Sequence, residues 1–144
     1  MFILTFKWTK KNAVLIVLAV AALISAAVVM TGIADRRQTR GVRTNEDRLA
    51  YLSALGWECQ PLSEQSVVIP RQFSDVFEDY NRLQKLQGFD LLRYGGVEVT
   101  LYRYSVSNYP GDDSVIAQLL VSDYEVIGGD LHSSAQNGFI HGMR

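Results

Sequence analysis

The chain has 144 residues, of which 48% are apolar and 20% charged, with one cysteine and a net charge of −1. That length and mix suit one globular domain and exclude a disordered or multi-span chain. A single cysteine rules out an internal disulfide framework and leaves any zinc site to other ligand types.

The charge is unevenly spread. Residues 1–34 carry Lys7, Lys10 and Lys11 and no acid, a sum of +3, whereas residues 35–144 carry 11 bases and 15 acids, a sum of −4. A net-acidic body argues against a nucleic-acid partner. Behind the basic flank 1–12, residues 13–33 run for 21 positions without a charge. As a helix they would rise about 31 Å, close to the ~30 Å hydrocarbon core of a bilayer. The expectation is a transmembrane signal anchor in the lipid bilayer, with Trp8 and the lysines at the interface. A cleaved signal peptide, cut after Gly32-Ile33-Ala34, and a buried core helix are the competing readings. Residues 34–43 then read as a basic juxtamembrane linker. Its Arg36, Arg37, Arg40 and Arg43 are candidates for contact with an anionic surface, and the competing reading is a plain stop-transfer flank.

The body, 44–144, opens with a helix capped by Thr44, with Asp47 three residues on as a variant capping box. Leu49, Leu52 and Leu55 keep helical spacing and Gly56 fits the C′ position. Trp57–Cys59 and Gln65–Ile69 read as two short strands, the second stopped by Pro70. Ser74 opens a second helix, acidic at its start and basic at its end. Its expected buried stripe is Val76, Phe77, Tyr80 and Leu83, and Glu78–Arg82 is an i,i+4 pair. Gly88 stops that helix, and Asp90 caps a tight turn. Val97–Val106 alternates as a strand with neither face purely apolar. Pro110-Gly111 marks a turn, and residues 114–121 and 125–131 form a hairpin. The fold class is therefore α+β, order α-β-β-α-β-β-β, with two helices packed on one face of an antiparallel sheet of about five strands.

Catalytic motifs are missing: no nucleophile elbow, phosphate-binding loop, H-E-x-x-H or C-x-x-C. No cofactor is expected, and Asp130, His132 and His141 make only a weak metal triad. Gly128-Gly129 reads as a bulge or a close backbone approach. Cys59 reads as a buried, inert thiol. The unusual density is aromatic and basic. Tyr94, Tyr102, Arg103, Tyr104, Asn108 and Tyr109 crowd a short stretch, and tyrosine and arginine are favoured in binding surfaces. They are the candidate ligand or partner site, set against a tyrosine-rich sheet face with Arg103 paired to Asp90 or Glu98.

Several phrases carry a resemblance: LSALGWE (52–58), VVIP (67–70), FSDVFEDYNRLQKLQGFDLLRYGG (73–96), YRYSVSNYPG (102–111) and VIGGDLHS (126–133). The body resembles a family of small, N-terminally anchored proteins of Gram-positive bacteria, defined by a domain of unknown function numbered four-eight-three-zero. The resemblance implies an extracytoplasmic domain on a single span at the cell membrane, and transfers no catalytic residue. Asn81, a poor helix former in mid-helix, is expected to bond a neighbouring loop. The expected function is a non-enzymatic binding or interaction domain for a protein, a peptide or a cell-wall ligand. Alternatives are a single-span regulator or assembly factor of the cell envelope and, behind it, a small envelope enzyme using Asp130 and His132.

Overall fold

A computed structural model describes residues 10–39 and 41–144, with side chains described for 17–30, for Thr39 and from Gly41 onward. It divides into two units, Met1–Arg37 and Gln38–Arg144. Helix α1 runs Lys10–Thr39, and the side chains of 17–30 are all exposed. Among the described residues, no helix is long and apolar enough to cross a membrane. The expected span, 13–33, extends at both ends beyond the described side chains.

In the second unit, α2 (Asn45–Ala54) is followed by β1 (Cys59–Val68), α3 (Asp75–Leu86), a 3-10 turn (Leu91–Tyr94), β2 (Glu98–Val106), β3 (Val115–Ser122), β4 (Glu125–Ser133) and β5 (Ile140–His141). The strands form one antiparallel sheet in the order β1-β2-β3-β4-β5. The α+β class and the sheet follow the sequence reading, but two details differ. The two short strands expected before Pro70 are one ten-residue strand, kinked by a bulge between Pro61 and Ser63. The tail supplies a short fifth strand, with Leu131 facing His141 and His132 facing Ile140.

The helices flank opposite faces of the sheet, rather than sharing one. The reason lies in the strands, which alternate apolar residues to both sides. Tyr104, Val106, Ala117, Leu119, Val126 and Leu131 pack with Tyr51 and Leu52 of α2 and with Met143. Val99, Leu101, Leu120 and Ile127 pack on the other side with Leu91, Phe77 and Tyr80. Each fully buried leucine of these clusters contributes about 2 kcal/mol. Gly128 and Gly129 let both layers approach. A Cβ at Gly128 would meet Gln84 Oε1 at 3.1 Å on the α3 side, and one at Gly129 would meet Met143 Sδ at 2.8 Å on the α2 side. The bulge expected there falls at the same place, where Leu120 pairs with Gly128 but Val121 pairs with Val126.

Local devices fix the elements. Thr44 Oγ1 accepts from the Asp47 amide while Asp47 Oδ2 accepts from the Thr44 amide, a closed capping box. Gly56 sits at φ +95°, where glycine alone is unstrained. The β3–β4 hairpin turns on Asp123 and Tyr124, both at positive φ, as a two-residue turn of the primed type demands. The Tyr124 carbonyl accepts from the amides of Gly41 (2.8 Å) and Val42 (3.0 Å). The end of the presumed linker is thus docked on the domain.

The buried stripe of α3 is the expected one only in part: Phe77 and Tyr80 pack on the core, but Val76 does not. Val76 is 80% exposed, and the fully buried residues are Asn81 and Gln84. Beside these two aromatics the inner face of the helix is polar, because there it meets backbone groups. Asn81 Oδ1 accepts from the Leu91 amide at 2.8 Å, and its Nδ2 donates to Asp90 Oδ1 at 3.2 Å. Gln84 Oε1 accepts from the Gly129 amide at 2.8 Å. Arg82 pairs with Asp79, not Glu78, at the exposed helix surface.

Candidate functional site

The six residues of the aromatic and basic stretch do not share one groove. Period-two alternation along β2 sends Tyr102 and Tyr104 to the α2 side and Arg103 to the α3 side. Tyr94 packs at the 3-10 turn against the α3-side cluster. Asn108 braces the loop after α2, donating to the Gly56 carbonyl at 2.8 Å and accepting from the Glu58 amide at 2.9 Å. Tyr109 lies between Trp57 and Phe139, with ring centroids 5.7 and 5.1 Å away, and its hydroxyl is 2.9 Å from His141 Nε2. Asn108 therefore braces the loop after α2, and Tyr109 ties the C-terminal segment to the domain.

Tyr102 and Tyr104 do build a site, around a residue the sequence reading left out. Arg48 of α2 places its guanidinium carbon 3.7 Å from the Tyr102 ring centroid, and its Nε donates to the Tyr104 hydroxyl at 2.9 Å. Tyr104 in turn donates to Asn45 Oδ1 at 3.3 Å. Burial pushes the Tyr104 phenol up, and the Arg48 bond and charge pull it back. Arg48 is 7% exposed, and among the described residues no carboxylate forms an ion pair with it. These residues, with Arg103 and residues 61–64 of the bulged edge strand, line a groove of about 310 Å³, so three of the six predicted residues border it. Arg48 had a sequence signal: it lies three and four positions before Tyr51 and Leu52, on the inward stripe of its helix.

A second polar cluster occupies the α3 side. Asp130 is fully buried, and its carboxylate accepts from the Tyr80 hydroxyl (2.7 Å) and Gln118 Nε2 (3.0 Å), with His132 Nδ1 at 2.8 Å from the other oxygen. Arg103 Nε donates to Gln118 Oε1 at 2.9 Å, so Arg103 reaches this cluster and not Asp90 or Glu98. Burial first, then the Asp130 charge and hydrogen bond, push the Tyr80 phenol far above its usual value, so it stays a donor. His141 lies in the ring stack instead, away from any metal triad. Among the described residues, no group of three or more metal-binding side chains is present. A further groove of about 220 Å³, between α3 and the 3-10 turn, is lined by Phe73, Glu78, Asn81, Arg82, Lys85 and Leu92.

Of the anionic-surface candidates, Arg43 is described: its guanidinium carbon is 5.1 Å from the Tyr124 ring centroid. Arg40 and the side chains of Arg36 and Arg37 lie outside the described residues. Cys59 is partly covered by the α2-side core, and burial pushes its thiol up to about 11.

The fold defines a small α+β domain with one helix on each face of an antiparallel meander. Residues 51–131 match the family described as "Domain of unknown function (DUF4830)", and the chain belongs to it. No curated protein and no solved structure matches the chain.

Proposed function

We propose that this chain is a single-pass, membrane-anchored protein whose body is an extracytoplasmic, non-enzymatic binding domain. The 21 uncharged residues of 13–33 and the basic flank before them support the anchor. The observation that carries the binding reading is Arg48. A guanidinium held over the Tyr102 ring and bonded to Tyr104, without an ion-paired acid among the described residues, is preorganised for an anionic group entering the 310 Å³ groove. The ligand chemistry is a carboxylate, carried by a peptide or a cell-wall fragment. Two experiments test this. A membrane-impermeant maleimide should label Ser134→Cys, in a Cys59→Ala background, on intact cells; labelling only after lysis would overturn the orientation. Solubilised wall fragments should bind the full chain, and binding should fall at least tenfold in a folded Arg48→Gln variant and when their carboxylates are amidated. Affinity unchanged by either alteration would remove the groove from the function.

One observation favours a second reading, a small envelope enzyme. Asp130 is buried against His132 on one face of the sheet, and this bond orients the imidazole as a general base requires. Neither groove described above is lined by that pair. Single-span regulation of envelope assembly stands as a further alternative; replacing 13–33 by polyleucine with loss of activity would favour it.

A further inference from the structure

Among the described residues, β1 is an edge strand and its far side is open. Pairing occupies only the β2 side of it, and most of its residues are exposed. The Ile69 amide donates to the Val97 carbonyl at 3.0 Å, and its carbonyl accepts from the Gly96 amide at 2.7 Å, so both of its backbone groups point toward β2. Backbone direction alternates along an antiparallel strand. Residues 67, 65 and 63 therefore also face β2, and Glu64, Ser66 and Val68 present their N–H and C=O groups outward. The usual protections of an edge are sparse here. There is no lysine, and the bulge at Leu62 and Pro61 blunts only the first half. Val68 is 62% exposed.

The open segment is self-complementary. A second copy laid antiparallel about a two-fold axis at Ser66 sets Glu64 opposite Val68 of the second copy, Gln65 opposite its Val67, and Ser66 opposite its Ser66. All three outward residues then form narrow pairs, with about six inter-strand hydrogen bonds. Glu64 is the segment's single charge, and in this register it faces no like charge. Other registers do worse. Centring on Glu64 sets two carboxylates face to face, which is destabilising. A shift toward the N-terminal end of the strand runs into the bulge and Pro61. A shift toward the other end brings in Pro70, which has no N–H to give.

We infer that two copies of this chain associate through the β1 edge, antiparallel about Ser66, into one continuous ten-strand sheet (about twice the five strands of each copy). This interface adjoins the Arg48 groove, since Glu64 borders both, but it is made by the β1 backbone, so Ser66→Pro tests it separately from Arg48→Gln. The test is sedimentation of the full chain in density-matched detergent, comparing the native sequence with Ser66→Pro. The Ser66 amide points away from β2, so proline there removes no backbone bond within the domain and costs it only the exposed hydroxyl's hydrogen bond to Glu98. The expected result is a dimer whose dissociation constant rises at least tenfold in Ser66→Pro. A second measurement does not depend on that variant folding. Ser66→Cys in a Cys59→Ala background should form a disulfide-linked dimer on mild oxidation, since narrow pairs hold Cα atoms about 5.5 Å apart, whereas Ser134→Cys in the same background should not. A chain that stays monomeric, a dimer that persists in Ser66→Pro, or cross-linking equal at both cysteines would overturn the proposal.

Discussion

Arg48 and Tyr102, on a helix and a strand far apart in sequence, meet with the guanidinium carbon 3.7 Å from the ring centroid. The contact joins α2 to the sheet at the point where the core gives way to the groove. Replacing Arg48 by Ala removes this stacking, the Tyr104 hydrogen bond and the packing of the aliphatic stem. Together these are worth about 2–3 kcal/mol. Lysine offers a point charge and no planar fork, so Arg48→Lys should recover less than half of the loss. Urea unfolding of the three proteins measures this, and full recovery by lysine would mean that charge alone matters.

On the other face, Asp130 and Tyr80 form a buried pair at 2.7 Å. Tyr80→Phe should cost about 1–3 kcal/mol, the worth of a hydrogen bond to a charged acceptor. Asp130→Ala should cost more, because it strips Tyr80, Gln118 and His132 of one acceptor at once. A double-mutant cycle on Tyr80→Phe and Asp130→Asn should return a coupling of about 1–2 kcal/mol. Strict additivity would show that the bond carries no weight.

The paired glycines of β4 should respond unequally. Alanine at Gly129 brings a Cβ within 2.7 Å of Met143 Cε and still closer to the Gln118 carbonyl oxygen, a backbone atom that cannot swing away. Alanine at Gly128 meets side chains at 3.1 and 3.2 Å, which can give. Gly129→Ala should therefore lower stability by about 3 kcal/mol and Gly128→Ala by about 1. Thermal denaturation would read both; equal losses would contradict the backbone argument.

Acid should destabilise the domain through three caps. Asp47 is held below the usual carboxylate value by the Thr44 backbone and side-chain hydrogen bonds, Asp90 by the Asn81 bond and Asp112 by the Ser133 hydroxyl. A depressed carboxyl contributes stability above its unfolded value, about 3.9. That contribution is lost as pH falls through the folded value. Stability should thus hold steady down to about pH 4–5 and decline below it, and Asp112→Asn should flatten the decline. A pH series of urea midpoints tests the sign.

Cys59, with its thiol pushed up to about 11, should alkylate slowly. At pH 8 its thiolate fraction is about 0.1%, against roughly a quarter for a free thiol, so iodoacetamide should react roughly 250-fold more slowly than with a small-molecule thiol. Mass spectrometry against time measures it. Rapid labelling of the folded chain would show that the sheet opens at this edge.

Local sequence rules located the caps, the turns and the strands β2, β3 and β4, because each depends on residues within a few positions of one another. Thr44 with Asp47, Asp90 before the 3-10 turn, and Gly128-Gly129 at the bulge were legible for that reason. The expected bond from Asn81 to a neighbouring loop is present as well. Legibility failed where a residue answers to a partner distant in sequence. Part of the inward face of α3 is polar because Gln84 meets the Gly129 amide forty-five positions away, and no helical period announces that. The aromatic stretch looked like one site because it is dense in sequence, yet strand alternation divides Tyr102 from Arg103.

What the sequence alone determined is the uncharged 13–33 segment, the acidic body, the α+β class and the order of most elements, since these follow from composition and short-range periodicity. Tertiary structure decided which face each helix covers, which tyrosines meet Arg48, and that β1 is left at the edge. Those outcomes depend on how strands far apart in sequence pair, and a strand carrying apolar residues on both faces is compatible with a helix on either side until the whole sheet is assembled.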